Sequence, residues 1–245
     1  FELSHEVQDV IRTTAEEYSL HANYDTGYGT LSSITAVKRD RLSTVNDADN
    51  SYLPAFVIDF TFDNNTFTQE VNFTREGDDY SFVAGVYYFH NNKFYPTFRY
   101  NKVEFLAADI TAEALAGYAD GTFEFGDLAI IAGIRYSTEH REMDNALLAH
   151  PLTPVAARGS RHIERTEDAW TPRFGLRYAL SERSNIYAIF SRGFKSGAYN
   201  GTSITEPGVT PETIDAYEIG YKAAGDDFLV NLAAYYYDYT DIQVN

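Results

Sequence analysis

The sequence predicts an all-β protein, and more narrowly an antiparallel transmembrane β-barrel segment of about ten long strands. Short periplasmic turns and long extracellular loops would join the strands alternately. Three observations lead there. Apolar residues recur almost everywhere with period two, connections alternate between short and long, and no apolar run approaches the ~18 residues of a membrane helix.

The alternation is clearest from Trp170 to Leu180. Trp170, Pro172, Phe174, Leu176, Tyr178 and Leu180 share one face, while Thr171, Arg173, Gly175, Arg177 and Ala179 share the other. Leu128–Ser137 sets Leu128, Ile130, Ala132, Ile134 and Tyr136 against Ala129, Ile131, Gly133, Arg135 and Ser137. Tyr80–His90, Tyr217–Lys222 and Phe228–Tyr237 behave likewise, and weaker copies cover 14–24, 30–41, 66–76, 111–124 and 185–197. Most exceed the ~5–6 residues usual in soluble sheets.

Tight turns fall at Thr26-Gly27-Tyr28-Gly29, Gly77-Asp78-Asp79, Gly126-Asp127, Ser181-Glu182-Arg183-Ser184 and Gly225-Asp226-Asp227. Gly and Asp suit them because they tolerate positive φ or hydrogen-bond their own backbone. Long polar stretches lie between, at about 42–65, 92–110, 142–167 and 198–213, and these are expected to be the outer loops. A soluble meander has no reason to sort loop length by sheet edge.

A lipid-facing strand must be apolar outside and can be polar inside. The second face here carries Arg135, Arg173, Arg177, Glu218 and Lys222, which are expected to face the lumen in a structural role. A β-sandwich would put the same polar face in solvent. Tyr80, Tyr88, Phe125, Tyr136, Trp170, Tyr178, Tyr221, Phe228 and Tyr236 cluster toward strand ends, as two interfacial girdles would.

Composition narrows the function classes. The 245 residues carry a net charge of −17, which disfavours a nucleic-acid partner. With no cysteine there is no disulfide framework, thiolate metal site or cysteine nucleophile. Aromatics at 16% exclude a disordered acidic chain. Beginning at Phe1 and stopping at Asn245 just as a strand finishes, the chain is expected to be an internal piece of a longer protein.

Several segments, in order, resemble the TonB-dependent outer-membrane receptors. Thr68-Gln69-Glu70-Val71 with Phe82–Phe89 is similar to an upstream hairpin of that family, and Ala132-Gly133-Ile134-Arg135-Tyr136 to a later strand. Ser191-Arg192-Gly193-Phe194-Lys195-Ser196-Gly197-Ala198-Tyr199-Asn200 resembles its "G-F-k-s-G-x-x-n" segment. Val209–Lys222, with Pro211-Glu212 and Glu218-Ile219-Gly220-Tyr221-Lys222, resembles its "P-E-x-x-x-x-y-E-x-G-x-K", and Leu232–Gln243 its "aaFyydydd-q" strand.

The resemblance covers essentially the whole chain. It implies residues 1–245 as part of a twenty-two-stranded barrel, without the plug domain, the TonB box or the terminal strands. It further implies active import of a scarce ligand, most often a ferric siderophore, with haem, cobalamin and saccharides as other cargoes of the family. The implied partners are the TonB-ExbB-ExbD energy-transducing complex acting through the plug region, outer-membrane lipid and the small-molecule ligand. The implied location is the outer membrane of a Gram-negative bacterium. A passive porin and, behind it, a secreted β-sandwich or adhesin are the alternatives.

No enzyme is expected, since Gly-x-Ser-x-Gly is absent. Gly193-Phe194-Lys195-Ser196-Gly197 is not a phosphate loop, because Phe194 separates glycine from lysine and a polar loop follows. No cofactor is expected. No metal site is expected either: the six histidines form no paired ligand motif, alternation splits Glu139 from His140 and Glu142, and Asp47-x-Asp49-x-Ser51 lacks the later residues of a calcium loop. Ligand contact is expected in the outer loops, at Phe94, Tyr95, Phe98, Arg99 and Tyr100, where rings and cations mix, and at Arg158 and Arg161.

Overall fold

The structure is a computed structural model, and it describes residues 7–48, 56–148 and 158–243. Eleven strands form one antiparallel sheet: β1 (Val10–Asp25), β2 (Thr30–Asp47), β3 (Val57–Glu76), β4 (Tyr80–Tyr100), β5 (Val103–Glu104), β6 (Leu106–Phe125), β7 (Leu128–Leu147), β8 (Gly159–Ser181), β9 (Ser184–Lys195), β10 (Glu212–Ala224) and β11 (Leu229–Thr240). The ten long strands pair strictly in chain order, and the two-residue β5 pairs only with β4. The sheet is therefore a continuous meander, open along β1 and β11 among the described residues.

All five tight turns close one edge of the sheet. At the first, Thr26 N donates to Gly29 O at 3.0 Å while Gly27 takes φ 77°, a conformation that glycine reaches without strain. The opposite edge departs from the expected loop lengths. The polar stretches at 42–65, 92–110 and 142–167 are largely strand, since β2, β3, β4, β6, β7 and β8 continue well past the aromatic rows. The segment 92–110 reduces to Asn101-Lys102, both at positive φ, with β5 beside them. Composition misleads there for a physical reason. Crossing a bilayer takes about 9–11 residues per strand, and above it a strand no longer needs an apolar face. Only 196–211 is a described long loop.

Register confirms the two faces. Ile134 lies opposite Pro172, Tyr136 opposite Trp170 and Ala132 opposite Phe174, so the apolar sets of β7 and β8 form one surface. It continues through Phe190, Tyr217 and Tyr236. This outward surface is exposed, with Trp170 at 59% and Phe174 at 50%, as a lipid-facing wall must be. The other face is the concave side of the curved sheet. There Ala108, Ala112 and Ala116 of β6 are at most 5% exposed, while Leu115 on the outward face is 54% exposed.

Candidate functional site

The inner wall is built by large polar side chains reaching across small residues. Asp120 on β6, Gly133 on β7 and Arg173 on β8 share one row, and Arg173 Nη1 meets Asp120 Oδ2 at 3.1 Å over the glycine. Two inward-facing rows lower, Arg177 Nη2 reaches Glu124 Oε1 at 2.6 Å across Ala129. Tyr118 donates to Glu70 across Gly85. Arg135 stands 5.5 Å from the Tyr87 ring centroid and 5.9 Å from that of Tyr118. Tyr187 lies over Gly220, donating to Glu218 at 2.5 Å with Lys222 5.2 Å from its ring centroid. Arg135, Arg173, Arg177, Glu218 and Lys222 thus share the inner face, and each has a partner there.

Higher on the inner wall the loop 196–211 lies against β6, β7 and β8. Asn145, 4% exposed, donates to the carbonyls of Gly201 at 3.2 Å and Ser203 at 2.9 Å. Ser196 donates to Glu139 at 2.7 Å, Gly197 N to Glu167 at 2.8 Å, and Arg165 to the Val209 carbonyl at 3.2 Å. Gly201 approaches Ile110, Ala108 and Tyr95 so closely that a side chain there would be in contact with them. Burial pushes the Tyr199 phenol up.

The ring-rich segment sits beside this loop. β4 carries one more residue than β3 between Phe94 and Thr97, a β-bulge at Tyr95-Pro96. Proline fits a bulge because no ladder donor is required of it. The extra residue reverses which side chains face inward. Below it Lys93 and Tyr95 point in; above it Phe98 and Tyr100 do. Phe94 and Arg99 point out, with Arg99 paired to Asp59 at 3.6 Å and Glu104 at 3.5 Å.

Of the five candidates on this segment, the structure therefore gathers Tyr95, Phe98 and Tyr100 and separates Phe94 and Arg99. It also adds residues that sequence reasoning passed over. Phe60 stacks on Phe98 at 5.3 Å, Phe105 meets Phe98 edge-on at 4.9 Å, and Phe62 lies 5.9 Å from Tyr95. Lys93 Nζ stands 4.5 Å from the Phe62 centroid and 5.1 Å from that of Tyr95, with no carboxylate at ion-pair distance among the described residues. The signal for Phe60-x-Phe62 was its alternation, hidden because the stretch read as loop. Arg161 faces inward and donates to the Glu206 carbonyl, and Arg158 immediately precedes β8. The candidates are thus on strands or at a strand start rather than in loops. Asp49 and Ser51 of the calcium-like stretch lie outside the described residues.

On the outward side above the membrane, Arg41 grips Asp63 through two bonds of 2.5 and 2.7 Å. The guanidinium holds the Asp63 carboxyl below the usual carboxylate range.

Comparison with known proteins places this architecture. The ferric yersiniabactin uptake receptor FyuA of Yersinia pestis superposes with a TM-score of 0.80 at 18% identity, covering 96% of this chain and 37% of that one. The ferric-catecholate import receptor Fiu of E. coli K12, in its closed form, gives 0.70 at 15% identity over 94% of this chain and 41% of that one. The alcaligin outer membrane receptor FauA of Bordetella pertussis gives 0.65 at 17% over 93% and 36%. At such identities these likenesses establish the fold, and the chain spans well under half the length of each receptor. The family description "TonB dependent receptor-like, beta-barrel" matches residues 3–245. The chain belongs to the TonB-dependent receptor β-barrel family, whose barrels stand in the outer membrane of Gram-negative bacteria.

Proposed function

We propose that this chain is wall from an active importer whose cargo is a scarce ligand, a ferric siderophore, and that residues 1–245 form part of its barrel domain. The observation that carries the reading is the family match over residues 3–245. In this reading the parent protein has a plug. The TonB-ExbB-ExbD complex acts on the plug, outer-membrane lipid surrounds the barrel, and the chain performs no covalent chemistry.

Ligand would meet the inner patch of Tyr95, Phe98, Phe60, Phe62 and Lys93. Rings there offer flat apolar surface, and the Lys93 ammonium beside them attracts an anionic chelate or stacks an aromatic one. Arg161 faces the same mouth, although its contact with Glu206 ties it to the loop. Arg135, Arg173, Arg177, Glu218 and Lys222 would hold the wall in shape beneath.

A passive pore also carries a loop on its inner wall, so 196–211 does not separate the two readings. A plug does. The test is uptake of radiolabelled ferric chelates by a deletion strain carrying the full-length gene, with and without functional TonB. TonB-dependent accumulation of a ferric siderophore supports the proposal, and uptake indifferent to TonB refutes it.

A further inference from the structure

Charge is sorted by face above the membrane. On the inner face of β4, β7 and β8 stand Lys93, Arg141, Arg161 and Arg165. On the outward face of β4, β6, β7 and β8, above the Tyr88–Tyr136–Trp170 level, stand Asp109, Glu113, Glu142, Asp144 and Glu164 with His90, His140 and His162. Among the described residues of that outward tier, β6, β7 and β8 carry no lysine or arginine, and the one cation on β4, Arg99, is paired to Asp59 and Glu104.

Register then concentrates the problem at β7 and β8. Asp144 lies directly opposite His162, and Glu142 directly opposite Glu164. Like charges facing across a strand pair are unfavourable. On the inner face the equivalent pair, Glu139 and Glu167, is answered by Arg141, Arg165 and the Gly197 amide. On the outward face Glu142, Asp144 and Glu164 meet only imidazoles. His162 Nδ1 lies 3.0 Å from Asp144 Oδ1 and 3.8 Å from Glu142 Oε1, and His140 Nε2 lies 4.0 Å from Glu164 Oε2.

We propose that Glu142, Asp144 and His162 form a binding site for a divalent zinc-type ion on the outward face of β7 and β8. One ligand atom from each lies within 4.8 Å of the others. Ligands bound at about 2.0–2.2 Å sit closer together than that, so small side-chain rotations close the set without moving the strands. One imidazole with two carboxylates selects a borderline ion over calcium or magnesium, which prefer all-oxygen shells. Solvent completes the coordination, because the site is open on one side. The ion supplies the positive charge that the outward tier of β6, β7 and β8 lacks and clamps β7 to β8 beyond the bilayer, where lipid no longer holds them. The spacing rules miss it because its ligands come from two strands and converge only through their register.

The proposal is tested on the full-length receptor, purified in detergent with any histidine tag removed, by zinc titration against a chromogenic chelator. The expected result is one zinc ion per receptor, with His162→Gln and Glu142→Gln each weakening binding about tenfold or more. His140→Gln leaves the affinity unchanged. Heat-modifiable gel mobility verifies that each variant is folded, and Asp144→Asn replaces any that is not. Absence of stoichiometric zinc binding, equal affinity in the folded variants, or a preference for calcium overturns it.

Discussion

Asp120 and Arg173 stand on strands that do not touch each other, yet their side chains meet at 3.1 Å because the residue between them, on β7, is Gly133. Two strand spacings are about 9.6 Å, and only a side chain as long as arginine spans that over a missing Cβ. A Cβ at Gly133 would run into the Asp120 carboxylate.

Gly133→Val should therefore destabilise the barrel by about 1–3 kcal/mol, although valine suits a strand, because the bridge must be displaced. Gly117→Ala is the control. Nothing lies within 4 Å of a Cβ there, so the change should stay within about 0.5 kcal/mol. Urea unfolding of the full-length protein in lipid vesicles measures both.

The outward face predicts a second asymmetry. Phe174→Arg puts a charge toward lipid near mid-strand and should cost about 2–4 kcal/mol, whereas the same change at Trp170, near the upper interface, should cost about 0–1 beyond the lost ring. Folded yield in isolated outer membranes reads the difference. Full tolerance of Phe174→Arg would reverse the assignment of faces.

Asp63 gives a pH dependence. Its folded-state pKa is lowered by Arg41, so the pair contributes stability above the unfolded value of about 3.9 and loses it as pH falls through the lower folded value. Asp63→Asn should cost no more than about 1 kcal/mol at neutral pH, since the pair is partly exposed. Variant and native unfolding midpoints should converge in acid below both values.

For the ligand, Lys93→Ala and Phe98→Ala should weaken binding of a ferric chelate, by about tenfold for a contact worth ~1.4 kcal/mol. Phe94→Ala and Arg99→Ala, on the outward side, should leave it unchanged. Tryptophan fluorescence quenching or calorimetry on the purified receptor distinguishes the pairs.

The loop predicts its own experiment. Asn145→Ala removes both bonds to Gly201 and Ser203 and should loosen the loop by about 1–3 kcal/mol. Limited proteolysis should then cleave within 198–208 faster than in the native receptor while the barrel stays intact.

The ten long strands were legible because lipid enforces strict alternation wherever the wall crosses the bilayer. The Trp170–Leu180 pattern, for example, lies wholly within β8. Strand tops were not legible, since above the membrane Asn64, Asn65, Asn91 and Asn92 satisfy a ladder as well as a loop. Site residues failed at two points. The bulge at Tyr95-Pro96 changes facing without any change in residue type, and Phe60 or Asn145 gains meaning only from partners many residues away.

That bulge has an evolutionary reading. Because it sits above the bilayer, one inserted or deleted residue near Pro96 turns every side chain beyond it inside out while the lipid-bound register below stays untouched. A lineage could thus exchange the chemistry of its mouth in a single step, keeping the part that must satisfy the membrane.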